Sequence, residues 1–376
     1  MKHYFLGLAG NYTRKRRLKH IFSIGRKRDC LELEEFLEKK YGGEAVLCKN
    51  GRSALALALK SYFDRGDGIL VNGFTCYAVY EAIKSAGLIP IFVDIEKSDL
   101  NFSVNTLKKA LTNSVSAGTS RPATPKGIIV QNTLGNPIDI NEIEKFAKKY
   151  GLLIIEDLAH CTGVKYSDGR EAGTIGVATA LSFGKDKSID TISGGAVILR
   201  YPCKNKIEAP TKLPKLSDTL RARFYPLFGA MTRGLTRVRL GGIFMRVLLK
   251  LRFVEKSADN KLDLERRIAK FQAKLGLEQL KNLKKSGESP IREFYLINNR
   301  DEVLKKLKKN GYYLDGFWYE KPVSPERYYK KVHFPEKDCP TSVEVAEKIV
   351  NLPTFYSKEE LAPARKIIKE YLDDGE

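Results

Sequence analysis

The stretch LLIIEDLAH, residues 152–160, carries the clearest structural signal in the sequence. Its run of leucine and isoleucine, without polar alternation, is typical of a strand buried on both faces of a parallel sheet. The run ends in a carboxylate, Asp157, and His160 follows one turn later. In open α/β sheets, ligands bind at the carboxyl ends of the strands. The stretch therefore predicts a central strand and the edge at which a site should lie.

Outward from this strand, short apolar runs alternate with helical patterns between residues 31 and 200. The strand candidates are 68–71, 89–93, 127–131, 152–156 and 196–199. The helix candidates are 31–41, 53–62, 80–86, 104–111 and 140–150. This alternation predicts an α/β fold, with a mostly parallel sheet and helices on both of its faces.

Composition divides the chain into four parts. Residues 1–30 form a basic N-terminal segment, and residues 31–200 form the large α/β domain. Residues 201–260 interrupt the pattern with a basic, amphipathic insertion. Residues 261–376 are expected to open with a long helix over 262–283 and to continue as a smaller C-terminal α+β domain.

The bulk composition sets the broad class of the protein. The chain has 376 residues, a formal net charge of +21 and six scattered cysteines without a CxxC pair. Such cysteines are typical of reduced thiols in a cytosolic protein. Neither a secretory signal nor a bilayer-spanning apolar stretch is evident. The charge fits phosphorylated small molecules, anionic lipid or nucleic acid, or simply a solvated basic surface.

Asp157 is the first candidate for chemistry. A carboxylate at the end of a buried strand can hold a protonated heterocyclic nitrogen, and that ion pair turns a pyridine ring into an electron sink. When the motif is taken by itself, the commoner explanation is that the carboxylate caps the next turn.

A lysine-bearing loop is the second candidate, in LSFGKDKSIDTISGGAVI, residues 181–198. A lysine in a dry cleft has a lowered pKa and can form an imine with an aldehyde. The alternative is a solvated basic loop. Spacing alone does not choose between Lys185 and Lys187.

The third candidate is NGRSALALAL, residues 50–59, where a turn leads into a helix. A helix N-terminus suits a phosphate group, because its backbone N–H groups and dipole favour an anion. Arg52 and Ser53 could add a cation and a hydroxyl. The alternative is an ordinary helix start with a serine cap.

In sequence order, these features resemble the DegT/DnrJ/EryC1/StrS family of sugar aminotransferases. The resemblance covers about residues 31–372. The stretches that carry it are GRSALALAL, GDGILVNGFTCYAVYEAIKSAGLIPIFVDI, LGNPIDINEIEKFAKKYGLLIIEDLAH, FQAKLGLEQLKNL and VNLPTFYS. It implies the fold-type-I aminotransferase fold, with a seven-stranded, mostly parallel sheet between helices and a smaller C-terminal domain. It also implies pyridoxal 5′-phosphate as cofactor.

The resemblance assigns roles to individual residues. In the family, the imine lysine follows a serine–phenylalanine pair by four residues, which makes it Lys187. Asp157 would pair with the pyridine nitrogen, Ser182 with the phosphate, and His160 would lie beside the ring hydroxyl. The implied catalytic pair is Lys187 and Asp157, and the implied cofactor-binding residues are Gly51, Arg52, Ser53, Cys76, Tyr77, Asp157, His160, Ser182 and Lys187.

Several positions depart from the family pattern. Cys76 or Tyr77 stands where a ring-stacking aromatic residue is common. Glu265 matches an asparagine that the partner subunit often offers to the phosphate, and Arg52, in place of a threonine, could supply that missing contact. Ser324 stands where a substrate-side histidine is frequent.

The implied activity is transfer of an amino group from an amino acid, expected to be glutamate, to a nucleotide-linked keto sugar for surface polysaccharide or glycoconjugate synthesis. The alternatives are a fold-type-I enzyme acting on a non-sugar ketone, and a non-catalytic binding protein with a degenerate cofactor site. A homodimer is implied. No metal site is expected, and no nucleic-acid partner either, because no recognised nucleic-acid-binding motif is present.

Residues 221–254 form the most amphipathic part of the insertion. Ile243, Phe244, Val247, Leu248 and Leu251 are expected to share one helical face, with Arg246 and Lys250 opposite. One interpretation is an interfacial helix on anionic lipid, which would make a cytoplasmic protein peripheral at the inner face of the membrane. The other is a helix packed on the large domain or on the dimer partner.

Overall fold

The computed structural model describes residues 3–113, 123–200, 202–255, 261–283, 291–314 and 318–372. In chain order the strands are β1 (Tyr4–Phe5), β2 (Glu44–Cys48), β3 (Gly68–Asn72), β4 (Thr75–Cys76), β5 (Ile89–Val93), β6 (Pro125–Val130), β7 (Leu153–Asp157), β8 (Ala178–Ser182), β9 (Gly195–Leu199), β10 (Arg292–Leu296), β11 (Tyr312–Tyr313), β12 (Val323–Ser324) and β13 (Ile349–Pro353).

The helices are α1 (Arg14–Phe22), α2 (Lys27–Tyr41), α3 (Gly51–Tyr62), α4 (Tyr77–Ser85), α5 (Val104–Asn113), α6 (Ile140–Tyr150), α7 (Leu216–Thr236), α8 (Gly241–Lys250), α9 (Lys270–Lys281), α10 (Arg300–Lys309), α11 (Glu326–Tyr329), α12 (Pro340–Lys348) and α13 (Lys358–Lys369). A 3-10 turn covers Thr133–Gly135.

The central sheet has seven strands in the order β2-β9-β8-β7-β6-β3-β5. Six of these strands run in the same direction, and β9 alone runs in the opposite direction. The expected mostly parallel seven-stranded sheet is therefore confirmed. The strands β2 and β8 were not among the strand candidates. The sequence of β8, ATALS, consists mostly of small residues with weak β propensity.

Two apolar clusters cover the two faces of this sheet. Alternate residues of β6 belong to different clusters: Ile128 and Val130 to one, Ile129 to the other. This is the period-two alternation of a strand that is buried on both sides. Helices α2, α6 and α9 contribute to the first cluster, and α3 and α4 to the second. Helix α3 is buried along nearly all its length, because it lies between the sheet and α4.

The basic N-terminal segment forms regular secondary structure. It contributes strand β1, which pairs with β11 of the C-terminal part, and helix α1, which packs against α7. Helix α2 begins at Lys27 rather than at residue 31. The C-terminal part pairs β10 with β13 and packs α10 and α13 around a third apolar cluster. Where the domains divide stays a prediction.

The helix expected over 262–283 is shorter than predicted. It begins only at Lys270, because the residues before it form a turn around Asp263. The Asp263 carboxylate accepts the backbone N–H groups of Glu265 and Arg266. Arg266 then forms a β-bridge with Lys212. These bonds satisfy the backbone outside a helix, so helical periodicity there was misleading.

The insertion forms two helices, α7 and α8, which pack against each other. The expected apolar face of α8 is divided between two environments, so that prediction was wrong in detail. Leu248 is buried and Phe244 is partly buried against the protein. Ile243, Val247 and Leu251 are exposed, on the side that also carries Arg246 and Lys250.

In the described part of the chain, no helix has both the length and the apolar character that a transmembrane span requires.

Candidate active site

A cavity of about 250 Å³ opens at the carboxyl edge of the sheet. Asp157 at the end of β7, Ser182 at the end of β8 and Cys76 at the end of β4 line it. The start of α3 and residues of α7 complete its walls. The predicted site residues that line the cavity are Gly51, Arg52, Cys76, Asp157, His160, Ser182 and Lys187. Ser53 and Tyr77 do not line it.

Asp157 lies buried at the cavity, with 7% of its surface exposed. Its carboxylate accepts the backbone N–H of Ala159 at 2.9 Å. Burial raises the pKa of Asp157, and the Ala159 hydrogen bond and the charge of Lys187 oppose that shift. A buried carboxylate with so few partners favours a cationic donor beside it.

Lys187 lies on the loop between β8 and β9 and faces the same cavity. Burial lowers its pKa to about 8; Arg292 also lowers it, while Cys76, Asp157 and Asp186 raise it. The other lysine of the loop is engaged elsewhere. Lys185 donates to the backbone oxygen of Glu255 at 2.6 Å and lies over the Tyr225 ring. The geometry thus favours Lys187 as the reactive amine.

His160 forms a fixed contact between the sheet and the C-terminal part. Its Nδ1 accepts the backbone N–H of Leu134 at 3.1 Å, and its Nε2 lies 3.2 Å from the Tyr319 hydroxyl. Its ring stacks on Trp318 with centroids 4.8 Å apart and an interplanar angle of 12°. Burial holds the pKa of His160 well below its usual range. The neutral ring therefore carries its proton on Nε2 and donates to Tyr319.

The start of α3 comes very close to Ser182. A Cβ atom at Gly51 would lie 2.5 Å from the Ser182 Cβ and 2.8 Å from its Oγ, so only glycine fits there. Asn50 caps the helix by accepting the backbone N–H of Ser53 at 2.8 Å. The Ser53 hydroxyl is fully buried and accepts the backbone N–H of Asp263. Ser53 therefore holds the turn rather than facing the cavity.

Arg52 is buried and forms an ion pair with Glu81 of α4. Arg52 is nevertheless among the residues that line the cavity. A cation at the N-terminus of α3 adds to the positive end of the helix dipole. This end of the cavity, with Gly51, Arg52 and Ser182, is thus suited to an anion.

The structure does not bring Tyr77 to the cavity, which corrects the expectation that it could stack on a cofactor ring. Its ring stacks on Tyr328, with centroids 4.3 Å apart and an interplanar angle of 12°. Cys76 occupies the cavity wall instead, and its sulfur caps α4 by accepting the Ala78 N–H. No local signal in the sequence could separate these adjacent positions.

Two positions singled out as departures are engaged elsewhere. Glu265 is exposed and pairs with Lys212 at 2.8 Å. Ser324 is buried and donates to the Glu320 carboxylate at 2.6 Å.

Sequence reasoning missed several residues at the cavity. Trp318, Tyr319, Asp186 and Tyr225 line it, and Arg292 lies directly behind Trp318. Trp318 and Tyr319 come from the C-terminal part, far along the chain from Lys187. The one signal available was that Trp318 is the only tryptophan, and that signal says nothing about its place in the fold.

The arrangement fits pyridoxal phosphate. The cofactor needs an acid for its ring nitrogen, an amine for its aldehyde and an anion pocket for its phosphate. Buried Asp157, Lys187 with its lowered pKa, and the close approach of Gly51 to Ser182 provide these three features within one cavity.

The sequence pattern of the DegT/DnrJ/EryC1/StrS aminotransferase family matches residues 17–224.

Two similar proteins illustrate the range of relatives. A GDP-perosamine synthase of Escherichia coli is 34% identical over 165 residues, which span 44% of this chain and only 42% of that enzyme. A UDP-N-acetyl-3-dehydro-alpha-D-glucosamine 3-aminotransferase of Acidithiobacillus ferrooxidans is 26% identical over 334 residues, 87% of this chain and 84% of that enzyme.

Solved structures confirm the fold. A DegT DnrJ EryC1 StrS aminotransferase from Brucella abortus superposes with a TM-score of 0.68 at 20% identity, covering 99% of both chains. An aminotransferase of Helicobacter pylori involved in the biosynthesis of pseudoaminic acid gives a TM-score of 0.62 at 17% identity, covering 99% of this chain and 98% of that one. At these identities the likeness shows the fold, which is the fold-type-I aminotransferase fold.

Proposed function

The chain belongs to the DegT/DnrJ/EryC1/StrS aminotransferase family, and from that premise we propose that it transfers an amino group from glutamate to a keto sugar carried on a nucleotide. The family uses pyridoxal phosphate. The observation that carries the proposal is the convergence of Asp157 and Lys187 on one cavity at the carboxyl edge of the sheet. The same convergence argues against a non-catalytic protein with a degenerate site.

When bound, pyridoxal phosphate supplies an electron sink for the carbon that loses or gains the amino group. The task of Asp157 is to accept a hydrogen bond from the protonated ring nitrogen, which a buried carboxylate at a strand end can do without rearrangement. Ala159 fixes the carboxylate through its backbone N–H. Ser182, Gly51 and Arg52 would hold the phosphate.

Lys187 would first bind the cofactor and then move protons. With a pKa lowered to about 8, its Nζ is neutral in an appreciable fraction of molecules near neutral pH. A neutral amine can accept a proton and return it, which is the property of a general base and acid. The Trp318 ring, 4.2 Å from Nζ, would exclude water from one side of the amine.

The choice of acceptor rests on the relatives. Those named above act on GDP-linked and UDP-linked sugars by their names, and a dTDP-4-amino-4,6-dideoxy-D-glucose transaminase of Escherichia coli is 32% identical over 168 residues. We therefore assign a nucleotide-linked keto sugar, consumed in surface polysaccharide or glycoconjugate synthesis.

The experiment that tests this function is an acceptor screen with glutamate as donor. Nucleotide-linked keto sugars should yield amino sugars and 2-oxoglutarate, while 2-oxo acids and simple ketones should not. Turnover of a non-sugar ketone in place of every keto sugar would overturn the assignment.

The proposal includes a homodimer, as the family resemblance implies, in a cytoplasmic protein. Light scattering of the purified protein would test the oligomeric state.

We further propose that the insertion contacts an anionic membrane at its inner face. Among the described residues, ten of the eighteen exposed large apolar side chains lie between residues 213 and 253. We call the following group the insertion surface: Val238, Leu240, Ile243, Val247, Leu251 and Phe253. Each of these residues keeps at least 47% of its surface exposed.

The charge of the insertion favours one kind of partner for the insertion surface. Residues 221–254 contain eight arginines and lysines and no acidic residue. Arg237, Arg239 and Lys250 form no ion pair with any residue in the described ranges. Contact with the same surface of a second copy would bring like charges together. Aliphatic side chains between basic ones suit a lipid surface, where both contribute to binding.

A further inference from the structure

Arg292, at the start of β10, is a buried cation that pairs with no acidic side chain among the described residues. Only 2% of its surface is exposed, and it is the largest of the fully buried side chains. Within the described part of the chain it forms no ion pair. Its Nη1 donates to the Asn351 side-chain oxygen at 3.2 Å, and its buried Nε has no hydrogen-bond partner in the described ranges. A buried guanidinium in this state is costly unless an anion joins it.

Arg292 lies close to the reactive amine. Its Cζ is 3.8 Å from the centroid of the Trp318 ring, and the Lys187 Nζ is 4.2 Å from the same centroid. The two cationic groups are therefore no more than about 8 Å apart, the sum of those two distances. Stacking occupies the face of a guanidinium and leaves the N–H groups in its plane for an anion.

Asp186 is the acidic side chain that competes with an incoming anion for Arg292. It lines the cavity, and its charge acts on Arg292, but the two side chains do not form an ion pair. Its Oδ1 is buried without a hydrogen-bond partner. Burial, and then the nearby Asp190, raise the pKa of Asp186 to about 6. Asp186 therefore does not occupy the Arg292 guanidinium through an ion pair.

We propose that Arg292 binds a carboxylate of the amino donor. An α-amino acid carries its carboxylate on the carbon that bears the amine, so an anchor this close to Lys187 directs the amine towards the reacting centre. The phosphate end of the cavity, at Gly51 and Ser182, is a different part of the site from the position of Arg292. The inference rests on the proposed function, because it names how that function recognises its donor.

The test uses the protein loaded with pyridoxal phosphate and glutarate, a dicarboxylate with neither amine nor ketone. Trp318 is the only tryptophan, so its fluorescence reports binding beside Arg292. Glutarate should change this fluorescence saturably and compete with glutamate in the donor half of the reaction. Inorganic phosphate at the same concentrations should do neither. Absence of both glutarate effects in the wild-type protein would overturn the inference.

The variant Arg292→Lys keeps the charge but loses the planar fork. It should weaken glutarate binding, and raise the half-saturating concentration of glutamate, by about tenfold or more, while the cofactor absorption band stays. Arg327→Lys is the matched control, since Arg327 also lies over an aromatic ring, Tyr328, but is exposed. Unchanged values in Arg292→Lys would contradict the inference.

Failure of the proposed function would look different. In that case the wild-type protein would bind no pyridoxal phosphate or would not react with glutamate, whatever residue stands at position 292. If Arg292→Lys does not fold, the wild-type glutarate titration and competition decide the question without it.

Discussion

At the scale of single residues, burial acts on Asp157 and Lys187 in opposite directions. It raises the pKa of the Asp157 carboxyl group and lowers that of the Lys187 amine to about 8. In each case the surrounding protein disfavours the charged form. Each charge partly offsets the shift of the other. A cationic heterocycle beside Asp157 would stabilise the carboxylate and favour the neutral amine.

The lowered pKa of Lys187 predicts how cofactor capture depends on pH. Only the neutral amine attacks an aldehyde, and its fraction rises as the pH passes through the pKa. The rate at which cofactor-free protein gains its visible band should therefore rise with pH and level off above about 8. Stopped-flow absorbance over a pH series measures this. A rate that keeps rising towards the ordinary lysine pKa of about 10.4 would contradict the assignment.

Arg52 gives a second prediction at this scale. If its guanidinium helps to hold the phosphate, Arg52→Thr should release pyridoxal phosphate faster during dialysis, although the imine lysine is intact. The substitution also leaves the Glu81 carboxylate without its ion-pair partner, so stability must be controlled. Arg52→Thr combined with Glu81→Gln removes that unpaired charge, and Glu81→Gln alone is the matched control. Equal retention of pyridoxal phosphate in all variants would contradict a role of Arg52 in holding the phosphate.

At the scale of elements, the insertion lies both at the active-site cavity and at the exposed surface of the protein. Helix α7 reaches the cavity, which Ala222 and Tyr225 line, while the insertion surface lies on α8 and on the residues that flank it. The insertion thus supplies both a part of the active-site wall and the exposed apolar, basic region. The sequence showed the amphipathic character of α8, but not which apolar residues face the protein, because that depends on how α8 packs against α7.

The membrane proposal predicts co-flotation with anionic vesicles. The protein should float with vesicles of phosphatidylserine and phosphatidylcholine but not of phosphatidylcholine alone, and less so at high salt. Arg239→Glu, Arg246→Glu and Lys250→Glu together should abolish co-flotation, at about 1 kcal/mol for each lost cation. The matched control makes the same charge change on α10, at Lys305, Lys308 and Lys309, all exposed. Equal co-flotation of both triple variants would contradict the proposal.

At the scale of the whole molecule, local sequence patterns predicted five of the seven strands of the sheet but not the whole site. Strands β3, β5, β6, β7 and β9 and their connecting helices follow from periodicity, because each is buried in a regular way. Asp157 followed from its place at a strand end, and the family resemblance assigned Lys187 and Ser182. Trp318 and Arg292 did not, because only tertiary packing brings the C-terminal part onto the cavity.

The most direct test of the account is the visible spectrum of the purified protein with pyridoxal phosphate, compared with Lys187→Ala and with Lys185→Ala as matched control. We predict an absorption band of lysine-bound cofactor in the wild type and in Lys185→Ala, lost in Lys187→Ala and bleached by glutamate. A wild type without the band, or a band that survives in Lys187→Ala, would contradict the assignment of this cavity as an aminotransferase active site.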